Sequence, residues 1–176
     1  MKTQTTVLEK ITTLPLNFVL PILAFAIPLF ISGPQWLTGT VVNTLLFLVV
    51  SQNLGRKNWL SVAILPSLAA VSHGLLFGKF TPFLLYFLPF IWIGNLLLMF
   101  SFNKLVKFLP ITLSVVFSSV LKSFWLYLFA SIFFQLKLVP SVFLTSMGIF
   151  QLVTAVFGGI IATRLVNSKL SLRTRA

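Results

Sequence analysis

The amino-acid sequence predicts an all-α integral membrane protein that crosses the bilayer six times. Of its 176 residues, 58% are hydrophobic and 8% are charged, whereas about a quarter of the residues in a soluble domain are charged. The apolar runs extend over the whole chain, and nearly all of the basic residues fall between them. We therefore predict a single transmembrane domain over residues 1–176.

Six apolar runs match the length of a membrane-spanning helix, which is about 20 residues. They cover residues 14–32, 36–54, 59–77, 82–102, 110–135 and 139–165. The short connections between them contain residues that break helices, including Gly33, Pro34 and Gly55. Because the runs are continuous and do not alternate with polar residues, they predict helices and not the strands of a membrane barrel.

The distribution of basic residues predicts the topology, since cytoplasmic loops of membrane proteins are enriched in Lys and Arg. With six spans, both termini and the second and fourth connections lie on one side, and these regions hold ten of the thirteen Lys and Arg. The other side holds Lys79 and Lys137, and Lys122 lies within the fifth run. This pattern predicts that both termini are in the cytoplasm.

The first run also has features of a cleavable signal peptide. Lys2 and Lys10 precede it, and Ala24 and Ala26 match the small residues of a cleavage site. Cleavage would leave five spans and disrupt the charge pattern, so we favour a first helix that is retained.

Several classes of function are excluded by residues that the sequence lacks. It has no cysteine, a single histidine (His73) and a single acidic side chain (Glu9). We therefore predict no catalytic acid–base pair, no metal site and no cofactor, and we do not expect an enzyme. The net charge of +12 is better explained by topology than by nucleic-acid binding, because the basic residues lie between apolar runs.

Lys122 is the most informative polar residue because it lies near the centre of the fifth run. From there, its ammonium group would have to reach about 15 Å to the membrane surface, and the six runs contain no acid to pair with it. The ammonium group therefore faces a wet cavity, bonds to backbone carbonyls or meets an anionic ligand. A substrate-contacting residue, a lysine satisfied by backbone carbonyls and a deprotonated lysine all remain open.

Amide side chains lie near the middle of three other runs, at Asn43, Asn95 and Gln151. Amides at this depth commonly join helices by hydrogen bonds, so packing is the alternative role for each of them. If they converge with Lys122 on one cavity, they form a substrate-binding site. His73, in the outer part of the third run, is a ligand contact, a pH sensor or an interfacial histidine bonded to a neighbouring helix.

Aromatic and loop residues complete the predicted site. Trp125 lies about one turn after Lys122 on the same helix face. Gln35, Trp36 and Thr38 lie in the first outer connection, and Tyr86 lies near the outer end of the fourth run. Tryptophan and tyrosine are common at membrane interfaces. These residues therefore belong either to an aromatic belt or to the lid and wall of a pocket that opens outward.

Gly158 and Ala162 give the sixth run a small-residue face. This spacing allows two helices to approach each other closely. Packing within the protein is the default interpretation, and a contact with a partner protein is the alternative.

Local motifs are found over roughly residues 15–105. They read GPQWLTGTVVN at 33–43, LPS at 65–67, HGLL at 73–76 and PFIWIGN at 89–95. Together with the chain length, the six predicted helices and the cytoplasmic termini, these motifs resemble uncharacterised members of one family. That family is the substrate-binding (S) components of energy-coupling-factor (ECF) transporters.

The resemblance implies a protein of a prokaryotic plasma membrane that binds a vitamin or metal ion in an outward pocket. Such a protein delivers its cargo to a coupling membrane protein and a pair of ATPases. Family members often carry two alanines four residues apart in the first helix, for docking to the coupling protein. Here residues 21–28 read PILAFAIP, with Ala24 and Ala26 at a different spacing.

We therefore predict substrate capture for an ATP-driven micronutrient importer, with a small anionic or aromatic molecule as the substrate. Lys122 would supply charge, the amides would supply hydrogen bonds, and Trp125 or Tyr86 would stack. The expected partners are the substrate, membrane lipids and an ECF coupling protein with its ATPases, and no nucleic acid. The alternative is a non-catalytic accessory or assembly subunit of a larger membrane complex, which would use the small-residue face as its contact.

Overall fold

A computed structural model describes the backbone of residues 2–30, 34–73 and 78–173, and the side chains of residues 16–30, 34–72 and 80–167. The described part is helical throughout and contains no strand. Its α-helices are α1 (Lys2–Phe30), α2 (Gln35–Ser51), α3 (Arg56–His73), α4 (Leu84–Leu105), α5 (Ile111–Gln135), α6 (Val142–Met147) and α7 (Ile149–Arg173). A 3₁₀ helix, Gly78–Phe83, leads into α4.

Three helical stretches in the described part are long and apolar enough to cross a membrane. They are Phe80–Leu105, Ile111–Gln135 and Val142–Asn167. Two further apolar helices, Leu16–Phe30 and Gln35–Ser51, are shorter. The sequence predicts one continuous helix over residues 139–165, but the structure divides this run into α6 and α7 at Gly148.

The helices that pack together are not all neighbours in the sequence. The Gln35 side chain donates a hydrogen bond to the Ser146 carbonyl (3.4 Å), and Asn43 donates one to the Thr154 hydroxyl (3.2 Å). Both pairs are 111 residues apart. Ser146 belongs to α6, and two contacts give the direction of α7 itself: a Cβ atom at Gly39 would lie 3.2 Å from Thr154, and one at Gly158 would lie 2.8 Å from the Asn43 Cβ. Contacts therefore advance along α2 and α7 in the same direction, so these two helices are parallel.

Hydrogen bonds between α3 and α4 show the opposite relation. Asn95 donates to the Ala63 carbonyl (2.8 Å), and Trp92 donates to the Ser67 hydroxyl (2.7 Å). The partner in α3 moves forward as the partner in α4 moves back, so these two helices are antiparallel. The ends of α1 and α3 therefore share one end of the bundle with the beginnings of α2, α4 and α7, which we call the α2-start end.

Glycine allows α2 and α7 to approach closely. A Cβ atom at Gly158 would lie 2.7 Å from the Thr44 backbone nitrogen and 2.8 Å from the Asn43 Cβ. Ala162, one turn further along, is fully buried. The small-residue face of the last helix is therefore occupied by packing within the protein.

Two clusters of buried apolar residues lie above and below a polar layer. The first contains Leu46 and Phe47 of α2 and Leu98 and Phe102 of α4, with the Phe47 and Phe102 rings edge to face at 4.8 Å. The second is centred on Phe87 of α4 and includes residues of α5 and of the 139–147 segment. On α4 and α5, Asn95 and Lys122 lie between the two clusters.

We expect Gly158→Ala to destabilise the protein by about 1–3 kcal/mol, because the new methyl group meets backbone atoms of α2 that cannot rotate away. The free energy of unfolding can be measured by SDS titration in mixed micelles. Gly55→Ala is the matched control, since nothing lies within 4 Å of a Cβ atom built there. Equal stability of the two variants would contradict the packing of α2 on α7.

Candidate functional site

A cavity of about 80 Å³ lies between α2, α3, α4, α5 and α7. Among the residues of the predicted site, those that line it are Gln35, Asn43, Asn95, Lys122 and Gln151. They come from four different helices, so the cavity is formed by convergence of helices and not by one sequence segment. No acidic residue is among the described residues that line it.

Lys122 is the one basic residue among the described residues of this lining and is only 2% exposed. Its Nζ donates a hydrogen bond to the Asn43 Oδ1 at 2.6 Å. A short hydrogen bond of this kind is expected between a charged donor and a neutral amide. The amide therefore takes the place that a carboxylate usually has beside a buried lysine.

The bond from Lys122 continues as a chain of hydrogen bonds across three helices. Asn43 Nδ2 donates to the Gly39 carbonyl (2.9 Å) and to the Thr154 Oγ1 (3.2 Å). The Thr154 hydroxyl in turn donates to the Phe150 carbonyl (2.7 Å). This chain fixes the direction of the Asn43 amide, because its nitrogen must face the Gly39 carbonyl and its oxygen the ammonium group.

Two buried polar atoms on residues that line the cavity have no hydrogen-bond partner among the described residues. They are the Thr38 Oγ1 and the Asn95 Oδ1. The Asn95 amide cannot simply be reversed, because its Nδ2 donates to the Ala63 carbonyl and a reversed amide would face oxygen with oxygen. A buried polar atom without a partner costs about 1–3 kcal/mol, so each atom is a candidate ligand contact.

The first turn of α7 borders the same cavity through Phe150 and Gln151. At Gly148, the chain leaves α6 with φ −93° and ψ −100°. The backbone hydrogen bonds of α7 begin with the Leu152 N–H, which donates to the Gly148 carbonyl (3.1 Å). The Ser123 hydroxyl also donates to this carbonyl (2.7 Å). The preceding N–H groups have no partner within α7, as at any helix start, and they give this side of the cavity a positive potential.

Two aromatic residues of the predicted site do not line the cavity. The Trp125 indole nitrogen donates to the Phe90 carbonyl (3.0 Å), and its ring packs on Phe129. Tyr86 is 52% exposed and is also absent from the lining. The expected stacking role of these two residues is therefore not supported by the cavity geometry, since both rings lie elsewhere. The side chain of His73 lies outside the described residues.

Sequence reasoning did not assign Ser67 or Thr154 to the site, although both line the cavity. Each is a short hydroxyl side chain in an apolar helix, where such residues often bond only to their own backbone. The amides that lie beside them in the fold indicate their contribution. The sequence does not show which helices pack together, so these neighbours could not be identified from it.

Comparison with protein-family models, with curated protein sequences and with solved structures finds no match to this chain.

We expect Asn43→Ala to lower the free energy of unfolding by about 1.5–3 kcal/mol, because it removes the hydrogen-bond acceptor of a buried charged group. SDS titration of the purified protein measures this change. Thr40→Ala is a control in the same helix, since the Thr40 hydroxyl bonds only to the Trp36 carbonyl one turn earlier. If the free energy of unfolding falls no more in Asn43→Ala than in Thr40→Ala, the Lys122–Asn43 bond adds little to the stability of the protein.

Proposed function

We propose that this protein is the membrane-embedded substrate-capture component of an ATP-driven importer of the ECF type, and that it binds a small solute in the cavity beside Lys122. The observation that carries the proposal is the convergence of a buried lysine, two asparagines and two glutamines on one cavity. Such convergence favours a binding site because polar groups at membrane depth are costly unless they face protein, water or a ligand.

We propose that the chain crosses the membrane six times with both termini in the cytoplasm. The described basic residues at the end opposite the α2-start end support this orientation, since Arg56, Lys57, Lys104 and Lys107 are all exposed. The cavity residues Gln35, Leu84 and Phe150 lie at or near the beginnings of their helices. In this orientation, the cavity is therefore displaced toward the outer side, as solute capture from outside requires.

The proposed partners, a coupling membrane protein and a pair of ATPases, are supported by the family resemblance alone. Ala24, one of the two alanines in the first-helix segment, is fully buried in the core. It is therefore not available as a docking contact, and the coupling protein would have to bind a different surface.

The alternative function, an accessory or assembly subunit, has less support. Its expected contact was the small-residue face of the last helix, and Gly158 there packs on backbone atoms of α2. A partner would have to displace α2 to reach that face.

The topology can be tested with single cysteines, because the sequence has none of its own. We expect Lys137→Cys to react with a membrane-impermeant maleimide on intact cells. Lys57→Cys and Lys104→Cys should react only after the membrane is permeabilised. Labelling of Lys57→Cys in intact cells would contradict the proposed orientation.

Solute binding can be tested by native mass spectrometry of the protein purified in lipid nanodiscs, followed by identification of what is released on denaturation. We expect a bound small molecule in the wild type and a loss of occupancy of at least about 10-fold in Lys122→Met, because a charge-assisted hydrogen bond is removed. Lys137→Met, an exposed lysine outside the cavity, should keep its occupancy. A protein that is empty in all three forms, but associated with other membrane subunits, would favour the accessory role.

A further inference from the structure

The described lining of the cavity carries a positive charge and no negative charge. Among the described residues, it contains the Lys122 ammonium group and no acidic side chain, and the neutral Asn43 amide is the hydrogen-bond partner that the structure gives to this cation. An ammonium group has three donors, so the Asn43 bond leaves capacity for another acceptor. A buried cation of this kind costs free energy unless a negative charge compensates it.

A second group of donors lies on the same wall of the cavity, closer to the α2-start end. A Cβ atom at Gly39, the residue after Thr38, would lie 3.2 Å from the Thr154 side chain, so Thr38 lies beside the early part of α7. The Thr38 hydroxyl has no partner among the described residues, and it lines the same cavity as Phe150 and Gln151 in the first turn of α7, where the N–H groups are free. Helix starts with free N–H groups favour anions.

The two donor groups line the same small cavity, so one anion bound there can meet both of them. Thr38 and Asn43 are five residues apart on α2, which corresponds to about 7.5 Å along the helix axis. Asn43 in turn holds the Lys122 ammonium group at 2.6 Å. A carboxylate that accepts hydrogen bonds on both oxygens spans a similar length, so its two oxygens can face the Lys122 and Thr38 donors.

A third polar atom of the cavity is a hydrogen-bond acceptor, so it requires a donor from the ligand. The Asn95 Oδ1 is an acceptor without a partner among the described residues, and its residue is 2% exposed. The side chains of Trp125 and Leu126 lie 3.4 Å from a Cβ atom built at Gly94. Asn95 is therefore close to the depth of Lys122 but on a different helix. A ligand that satisfies this oxygen must carry an N–H or O–H donor.

The cavity size and its lining restrict the ligand further. A volume of about 80 Å³ holds about five to eight water-sized atoms, at roughly 10–15 Å³ each. Phe150 is the single aromatic residue among the described lining residues, and Trp125 and Tyr86 are elsewhere. The cavity therefore fits a small aliphatic molecule better than a ring system that requires stacking.

From these observations we infer the substrate class: a small aliphatic carboxylate that also carries a hydrogen-bond donor. Its carboxylate lies between Lys122, Thr38 and the start of α7, and its hydroxyl or amino group donates to the Asn95 Oδ1. This inference rests on the proposed solute-binding function and specifies the chemistry of that same site.

The test compares three probes of nearly equal size on the purified protein in nanodiscs. Lactate has both the carboxylate and the donor, propionate lacks the donor, and lactamide has the donor but no charge. Equilibrium dialysis with radiolabelled probes gives the affinities. We expect lactate to bind at least about 10-fold more tightly than propionate, and lactamide to bind more weakly than either acid.

Two variants test whether the probes bind to the Lys122 ammonium group and the Thr38 hydroxyl. Lys122→Met should weaken the binding of both acids by about 10- to 100-fold and leave lactamide unchanged. Thr38→Val removes a hydroxyl that has no partner among the described residues, so the variant should unfold at the same SDS concentration as the wild type while it binds both acids more weakly. This second variant keeps the test decisive if Lys122→Met does not fold.

The outcomes separate the substrate class from the proposed function. Equal binding of lactate and lactamide, or binding of neither acid while a neutral or cationic molecule co-purifies, would overturn the substrate class and leave solute capture standing. If no probe binds and no small molecule co-purifies, the cavity holds only water and both proposals fail.

Discussion

The structure depends on the burial of one lysine in a helical bundle whose described side chains include no acid. Moving an ammonium group from water into an apolar interior costs many kcal/mol unless it is paired and hydrogen-bonded. In this protein, Asn43 accepts the hydrogen bond from Lys122 at 2.6 Å. Asn43 is in turn held by the Gly39 carbonyl and the Thr154 hydroxyl. The polar chain thereby ties α5 to α2, and α2 to α7.

The packing of the helices follows from this polar chain. For Asn43 to reach Thr154, α2 and α7 must approach closely, and Gly158 leaves the necessary space. The break at Gly148 then places the start of α7 at the edge of the cavity. Apolar clusters on both sides of this layer supply the packing. The polar residues lower the apolar area that could be buried, which is a common cost of a functional site in a core.

Sequence reasoning locates the helices more reliably than it locates their contacts. The six apolar runs coincide largely with the long helices because length and continuous hydrophobicity are local properties. The exceptions are the first run, whose helix already begins at Lys2, and the last run, where Gly148 interrupts a mostly apolar stretch. A sequence does not distinguish a glycine that packs, such as Gly158, from one at which a helix ends.

The candidate site was predictable in its residue types but not in its geometry. Lys122, Asn43, Asn95, Gln151 and Gln35 stand out as polar residues in or beside apolar runs, and all line the cavity. Trp125 follows Lys122 by one turn, yet its indole bonds to the Phe90 carbonyl on another helix. The partner of each side chain depends on which helices pair and how each is rotated. The parallel pairing of α2 with α7, 111 residues away, has no local signal in the sequence.

The central claim is that the Lys122 charge is kept for a ligand. The most direct measurement is an experimental structure of the protein in a lipid nanodisc, without added ligand, at a resolution that separates water from a carboxylate. Our account predicts continuous non-protein density within hydrogen-bond distance of both the Lys122 Nζ and the Thr38 Oγ1. A cavity that contains only isolated waters, or the acyl chain of a lipid, would contradict it.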